Sequence, residues 1–162
     1  MDGQDISVLD FSAYGKSAIK SYKCSPDAWA QMCIQLGFYK LYGHPCATYE
    51  AAQTRKFKLG RTETIRSTSV ESLAFCKAME DPNVSDAERL SKFQAAAAQH
   101  IKYAKEASEG AGVDRHLFGL KRLIKEGEEV PALFKDPMNA ISGTWILSTS
   151  QILSLIHISE RA

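Results

Sequence analysis

Leu90, Phe93, Ala97, Ile101 and Ala104 recur every three or four residues, the spacing that places side chains along one side of an α-helix. Of all the stretches in the chain, this one restricts the possible folds most. Ser85-Asp86-Ala87-Glu88 has the form of a capping box at its start, in which a serine hydroxyl and a glutamate carboxylate satisfy free backbone N–H groups. The alanines at 95–98 add intrinsic helix propensity. The glycines at 110 and 112 set the stop. His100 borders the stripe, so it reads as a packed or surface histidine rather than a base.

Other elements follow by the same rules. The apolar run ISVLDF at 6–11 suits a buried strand, and residues 12–23 follow as a loop whose Lys16, Lys20 and Lys23 form a local basic patch. Ser25, Pro26 and Asp27 open a helix: a hydroxyl cap, a proline suited to the first helical position, and a carboxylate facing the dipole. That helix should reach Tyr42 and end at Gly43-His44-Pro45. Trp29, Met32, Ile34, Leu36, Phe38 and Leu41 leave it apolar on most sides, as in a core helix. Residues 47–59 read as a strand with polar interruptions, although their Ala and Gln residues also tolerate helix, and Gly60 reads as a turn. Thr68 and Glu71 fit a second capping box, opening a helix that ends near Asp81-Pro82. A further helix spans 114–125, with Leu117, Leu120 and Ile124 on one face. Short helical turns are expected at 131–134 and 137–141, and a strand at 144–150.

Composition narrows the class. A chain of 162 residues is long enough for one domain with a core, and 44% hydrophobic with 24% charged residues is ordinary for a globular protein. A net charge of +1 argues against nucleic acid as a partner, and no apolar run has the length of a membrane span. Cys24, Cys33, Cys46 and Cys76 form no CxxC pair and have no histidine at zinc-finger spacing, which leaves buried free thiols and no metal site. The amino terminus carries no targeting pattern.

Residues 48–69, TYEAAQTRKFKLGRTETIRSTS, hold the chemistry. Tyr49, Thr62 and Thr64 bring hydroxyls, and Arg55, Arg61 and Arg66 bring guanidinium groups that can donate paired hydrogen bonds to a carboxylate or phosphate. Asp114 and Arg115 fall in the first turn of a predicted helix. Arginine opposes the helix dipole there, a small cost that suits a side chain aimed at an anion.

GRTETIRSTS preceded by TYE, together with YGKSAIK, DRH at 114–116 and LSTSQ at 147–151, resembles the carnitine acyltransferases, and the carnitine acetyltransferases most. The resemblance covers residues 5–151 and sets 152–162 apart as a non-native or unstructured tail. It implies an α/β fold, with a mixed β-sheet covered by helices. This would be part of the C-terminal domain of a two-domain coenzyme A-dependent acyltransferase, whose N-terminal half is missing here. The family moves an acyl group reversibly between coenzyme A and the hydroxyl of carnitine, with acyl-CoA as co-substrate and no permanent cofactor.

By resemblance, Tyr49, Thr62 and Arg115 hold the carnitine carboxylate. Ser148 and Ser150 lie beside the reacting centre, Ser150 stabilising the oxyanion. Lys16 and Lys20 bind the 3′-phosphate of coenzyme A, Asp27 lies at its adenine and Gln151 at its channel. The related choline enzymes carry Val-Asp-Asn in place of Thr62-Glu63-Thr64 and Asn in place of Arg115, so these positions favour carnitine. The family's general-base histidine lies upstream of the matched segment, and none of His44, His100, His116 and His157 has its setting. Location in mitochondria, peroxisomes or both is implied in the same way. Two other readings stand beside this one: a non-catalytic module binding coenzyme A or a protein, and a helical domain without a ligand.

Overall fold

A computed structural model describes residues 3–149. Seven helices and three strands are described: α1 (Lys16–Ser21), α2 (Pro26–Tyr42), β1 (Thr48–Gln53), β2 (Thr62–Arg66), α3 (Val70–Glu80), α4 (Asp86–Ser108), α5 (Asp114–Arg122), α6 (Ala132–Lys135), α7 (Pro137–Ser142) and β3 (Leu147–Ser148). The strands form one mixed sheet in the order β2-β1-β3, with β2 antiparallel and β3 parallel to β1. The α/β class and the helix-covered mixed sheet expected from the sequence are both present.

The register sorts the side chains. Residues alternate between faces along a strand, and paired residues share a face. Thr48, Glu50 and Ala52 of β1 therefore stand with Glu63 and Ile65 of β2 on the buried face. Tyr49, Ala51 and Gln53 stand with Arg66, Thr64 and Thr62 on the other. Helix α4 covers the buried face, where Ala52, Ile65 and Ala107 pack together with Tyr103 and Ala104 against them. Met32, Phe75, Cys76 and Ala96 join α2, α3 and α4 in a second cluster. Burial of aliphatic and aromatic surface there contributes roughly 25 cal/mol per Å².

Helix α2 begins as expected, with the Ser25 hydroxyl accepting from the Ala28 amide, and ends at Gly43 in the left-handed conformation (φ 73°) that glycine adopts without strain. It is not a core helix on all sides. Ile34, Leu41 and Tyr42 are exposed, and its buried face carries Gln31 and Gln35, which meet polar partners on the sheet. Gln35 donates to the Thr48 hydroxyl at 3.0 Å and Gln31 accepts from the Thr149 hydroxyl at 3.0 Å.

Several expectations are corrected. Residues 6–11 form no strand: Ile6, Val8 and Leu9 are almost fully exposed, and among the described residues no strand lies beside them to take their backbone hydrogen bonds. Residues 16–21 are a helix rather than a loop. The first β-strand ends at Gln53 instead of running to 59, because residues 54–60 turn back towards β2. The cap of α3 is Ser69 with Ser72, not Thr68 with Glu71. The Thr68 hydroxyl instead donates to the Cys46 carbonyl at 2.6 Å. The buried side of α4 is Ala96, Ala97, His100 and Ala107, which rotates the stripe so that Leu90 and Ile101 are exposed. Ser85 caps α4 through the Glu88 amide, which is the serine half of the expected capping box; among the described residues the Glu88 carboxylate makes no return bond to the Ser85 amide. Helix α5 ends at Arg122 and buries no residue fully. All four cysteines are free, but only Cys76 is buried, and burial raises its thiol to about 11.

The Gly60 turn has a steric cause. A β-carbon at this position would overlap the Thr54 carbonyl oxygen and sit 2.9 Å from its carbon, both fixed backbone atoms. Gly60→Ala is therefore expected to lower stability by on the order of 2 kcal/mol. A urea midpoint equal to that of the parent protein would contradict this.

Candidate functional site

Helix α5 starts against the outer edge of β2, and its first turn is gripped from both sides of the sheet. On the open face, Arg66 pairs with Asp114 through two hydrogen bonds, Nε to Oδ2 at 3.0 Å and Nη2 to Oδ1 at 2.7 Å. Arg66 also donates to the Ser142 carbonyl at 2.8 Å and lies over the Trp145 ring at 4.8 Å. On the buried face, the Glu63 carboxylate accepts from the Arg115 amide at 3.2 Å and from the Thr64 amide at 2.6 Å. The first amides of a helix lack internal partners, and Val113, the residue before α5, supplies no side-chain cap. Glu63 takes that role from another element.

These grips place the Arg115 guanidinium beside β1 and β2. Its Nε donates to the Thr62 carbonyl at 3.0 Å, and its Nη2 lies 3.2 Å from both the Tyr49 and Thr62 hydroxyls. Tyr49, Thr62 and Arg115 come from three elements and sit 13 and 53 positions apart in pairs, 49 to 62 and 62 to 115. Their polar ends nevertheless converge at hydrogen-bond distance. A cation flanked by two hydroxyls is suited to a carboxylate: the guanidinium supplies charge and a planar donor fork, and the hydroxyls rotate to donate. The Thr64 hydroxyl lies on the same face, is fully buried and has no hydrogen-bond partner among the described residues.

Ser148 pairs in register with Tyr49 and is exposed on that face. Ser150 and Gln151 lie outside the described residues. Lys16 and Lys20 are exposed one turn apart on α1, which packs against α2, and neither bonds to the Arg115 group. A cleft of about 560 Å³ opens nearby, lined by His44, Cys46, Arg66, Trp145 and Ile146 among others. Tyr49, Thr62 and Arg115 do not line it.

Asp27 belongs to a separate cluster on the buried side of the sheet. Its carboxylate, that of Glu50 and the His100 ring bring ligand atoms within 4.8 Å of one another. His100 Nε2 is 2.8 Å from Glu50 Oε2, which also accepts from the Ser67 hydroxyl at 2.8 Å. These three residue types could hold a divalent cation. Yet Glu50 is already engaged twice, and His100 Nδ1 is buried without the outer partner that metal-bound histidines have. The cluster is therefore a hydrogen-bonded network, and of the two settings expected for His100, packed or surface, it has the packed one. Burial, followed by the charge of Glu50, raises the Asp27 carboxyl above its ordinary range.

Sequence reasoning missed the cap by Glu63, the Arg66–Asp114 pair and Trp145. Strand alternation could have flagged Glu63, since it places a carboxylate between two residues of the opposite face. Nothing local announces the other two, because their partners are brought in by the packing of α5 and α7.

The comparisons decide the family. The family model for choline/carnitine O-acyltransferases matches residues 1–159. The chain belongs to this family. It is 46% identical over 149 residues to the carnitine O-acetyltransferase of Columba livia, covering 91% of this chain and 24% of that protein. It is 45% identical over 151 residues to the mitochondrial carnitine O-acetyltransferase of Saccharomyces cerevisiae, covering 93% and 22%. Against the peroxisomal carnitine O-octanoyltransferase of Homo sapiens the identity is 44% over 151 residues, covering 91% and 25%. The chain thus spans about a quarter of the length of these acyltransferases.

The Asp27 network carries a pH signature. A carboxyl whose folded pKa is raised binds its proton more tightly in the folded state. Its contribution is therefore most favourable at low pH and is lost as pH rises from the unfolded value, near 4, through the folded one. Asp27→Asn removes that loss. Its urea midpoint is expected to gain on the parent progressively from about pH 4 towards neutrality. A difference that stays constant with pH would contradict the assignment.

Proposed function

We propose that this chain supplies the carnitine-carboxylate and coenzyme A sites of a carnitine O-acyltransferase of the acetyltransferase type. The observation that carries the reading is the convergence of Arg115 with the Tyr49 and Thr62 hydroxyls. Carnitine has a carboxylate at one end and its reacting hydroxyl near the middle, so a fixed arginine at the carboxylate sets the hydroxyl's position for acyl transfer. Arg115 keeps its charge at any working pH, and the two hydroxyls complete the carboxylate's hydrogen bonds. Ser148 stands next to Tyr49 across the strands, on the side where the reacting centre would lie. Ser150 is assigned to the oxyanion and Gln151 to the coenzyme A channel, as the family pattern implies.

Lys16 and Lys20 stand one helical turn apart and free to reach a 3′-phosphate. Asp27 is assigned to the adenine end. The general base comes from a histidine outside this chain, which draws the proton from the attacking hydroxyl or thiol. The enzyme would act in mitochondria or peroxisomes, the compartments named for two of its relatives. Among the described residues no helix is long and apolar enough to cross a membrane.

Arg115 is exposed in this chain, so its bonds to a carboxylate are charge-assisted but not deeply buried. Losing them is expected to cost roughly ten- to a hundredfold in kcat/KM for carnitine. In the full-length enzyme, Arg115→Asn should show that loss, while efficiency with choline, which has no carboxylate, holds or rises. Equal proportional losses for both substrates, accompanied by a lower Tm, would show that Arg115 only braces α5.

A further inference from the structure

We propose that Glu63 is the positioning residue of the carboxylate site: it fixes where Arg115 stands without touching the substrate. The proposal rests on the carboxylate reading above. Glu63 is 3% exposed, and a buried carboxylate requires partners for both oxygens. Its two oxygens accept from two amides that belong to the site itself, Oε1 from Thr64 and Oε2 from Arg115. One side chain thereby ties the strand that carries Thr62 and Thr64 to the helix turn that carries Arg115. Its negative charge also lies at the N-terminus of α5, where the helix dipole favours it.

Gly112 completes the arrangement. A β-carbon there would overlap the Glu63 Cγ and lie 2.7 Å from its Cδ. Residue 112 must therefore be a glycine if the carboxylate is to pass under the chain and reach the Arg115 amide. A methyl group at 112 and a shortened or neutral side chain at 63 should then produce the same defect by different routes.

The geometry separates this role from general bracing. Arg115 Nε donates to the carbonyl of Thr62, the residue next to Glu63 on β2. If the helix turn moves away from Glu63, the guanidinium leaves the Tyr49 and Thr62 hydroxyls, which face the opposite side of the sheet from Glu63. The defect should therefore appear in carnitine recognition and not in coenzyme A recognition.

The test uses Glu63→Gln, Glu63→Ala and Gly112→Ala in the full-length enzyme, with Arg115→Asn in parallel and the Glu63→Ala/Arg115→Asn double variant. Glutamine is nearly isosteric but can accept at only one of its two terminal atoms, so it probes the role even where alanine fails to fold. Expected for Glu63→Gln is a rise in KM for carnitine of roughly three- to tenfold, with KM for acyl-CoA and efficiency with choline within about twofold of the parent. Glu63→Ala and Gly112→Ala should raise KM for carnitine further. In the Arg115→Asn background, Glu63→Ala should cost no more for carnitine, because the group it positions is gone. Equal losses for carnitine, choline and acyl-CoA in Glu63→Gln, or additive losses in the double variant, would overturn the proposal. If Arg115→Asn itself leaves carnitine unaffected, the carboxylate reading fails. If Arg115→Asn loses carnitine and Glu63→Gln does not, only the positioning role fails.

Discussion

The antiparallel pairing of β1 with β2 is the constraint from which the rest of the molecule follows. Its register, Tyr49 opposite Arg66 and Ala52 opposite Glu63, sends alternate residues to opposite faces. One face becomes a core with α4, and it carries Glu50 and Glu63 inward. The other carries Tyr49, Thr62, Thr64 and Arg66, of which Thr64 is fully buried. A slip of one residue would exchange the two sets between the faces. The Gly60 turn holds that register by allowing the backbone to pass close to the Thr54 carbonyl.

From that register the site is assembled at the edge of the sheet. Helix α5 is short and buries no residue fully, so packing alone holds it weakly. Polar bonds do the holding, Arg66 to Asp114 on one face and Glu63 to the Arg115 amide on the other. The half-buried Arg66–Asp114 pair has the two-point geometry that makes such contacts more than surface decoration. An edge gripped from both faces presents an arginine in a defined place, as recognition of a small anion needs.

The sequence made part of this legible. Helix caps at Ser25 and Ser85, the stops at Gly43 and Gly110, and the turn at Gly60 follow from local chemistry, and local chemistry is what a sequence displays. The strand expected at 6–11 failed because a strand needs a neighbour, which no local pattern contains. The stripe on α4 holds at Phe93, Ala97 and Ala104 but not at Leu90 and Ile101, whose places are taken by Ala96 against α2 and α3 and by His100 against Glu50 of β1. Tyr49, Thr62 and Arg115 were grouped by resemblance to a family, and their convergence is a fact of the tertiary fold. Resemblance singles out Glu63 as a position that differs in the choline enzymes, but its cap on α5 is not legible, because that helix begins 51 residues later, 114 against 63.

The central claim is that this surface reads a carboxylate. The most direct measurement compares carnitine with carnitine amide as acceptors for the full-length enzyme, since the amide keeps the shape but loses the negative charge and has an NH2 donor in place of one acceptor oxygen. Recognition through Arg115 predicts kcat/KM higher for carnitine by roughly ten- to a hundredfold, with the preference weakening as salt is raised. Equal efficiency for the two acceptors would contradict the claim.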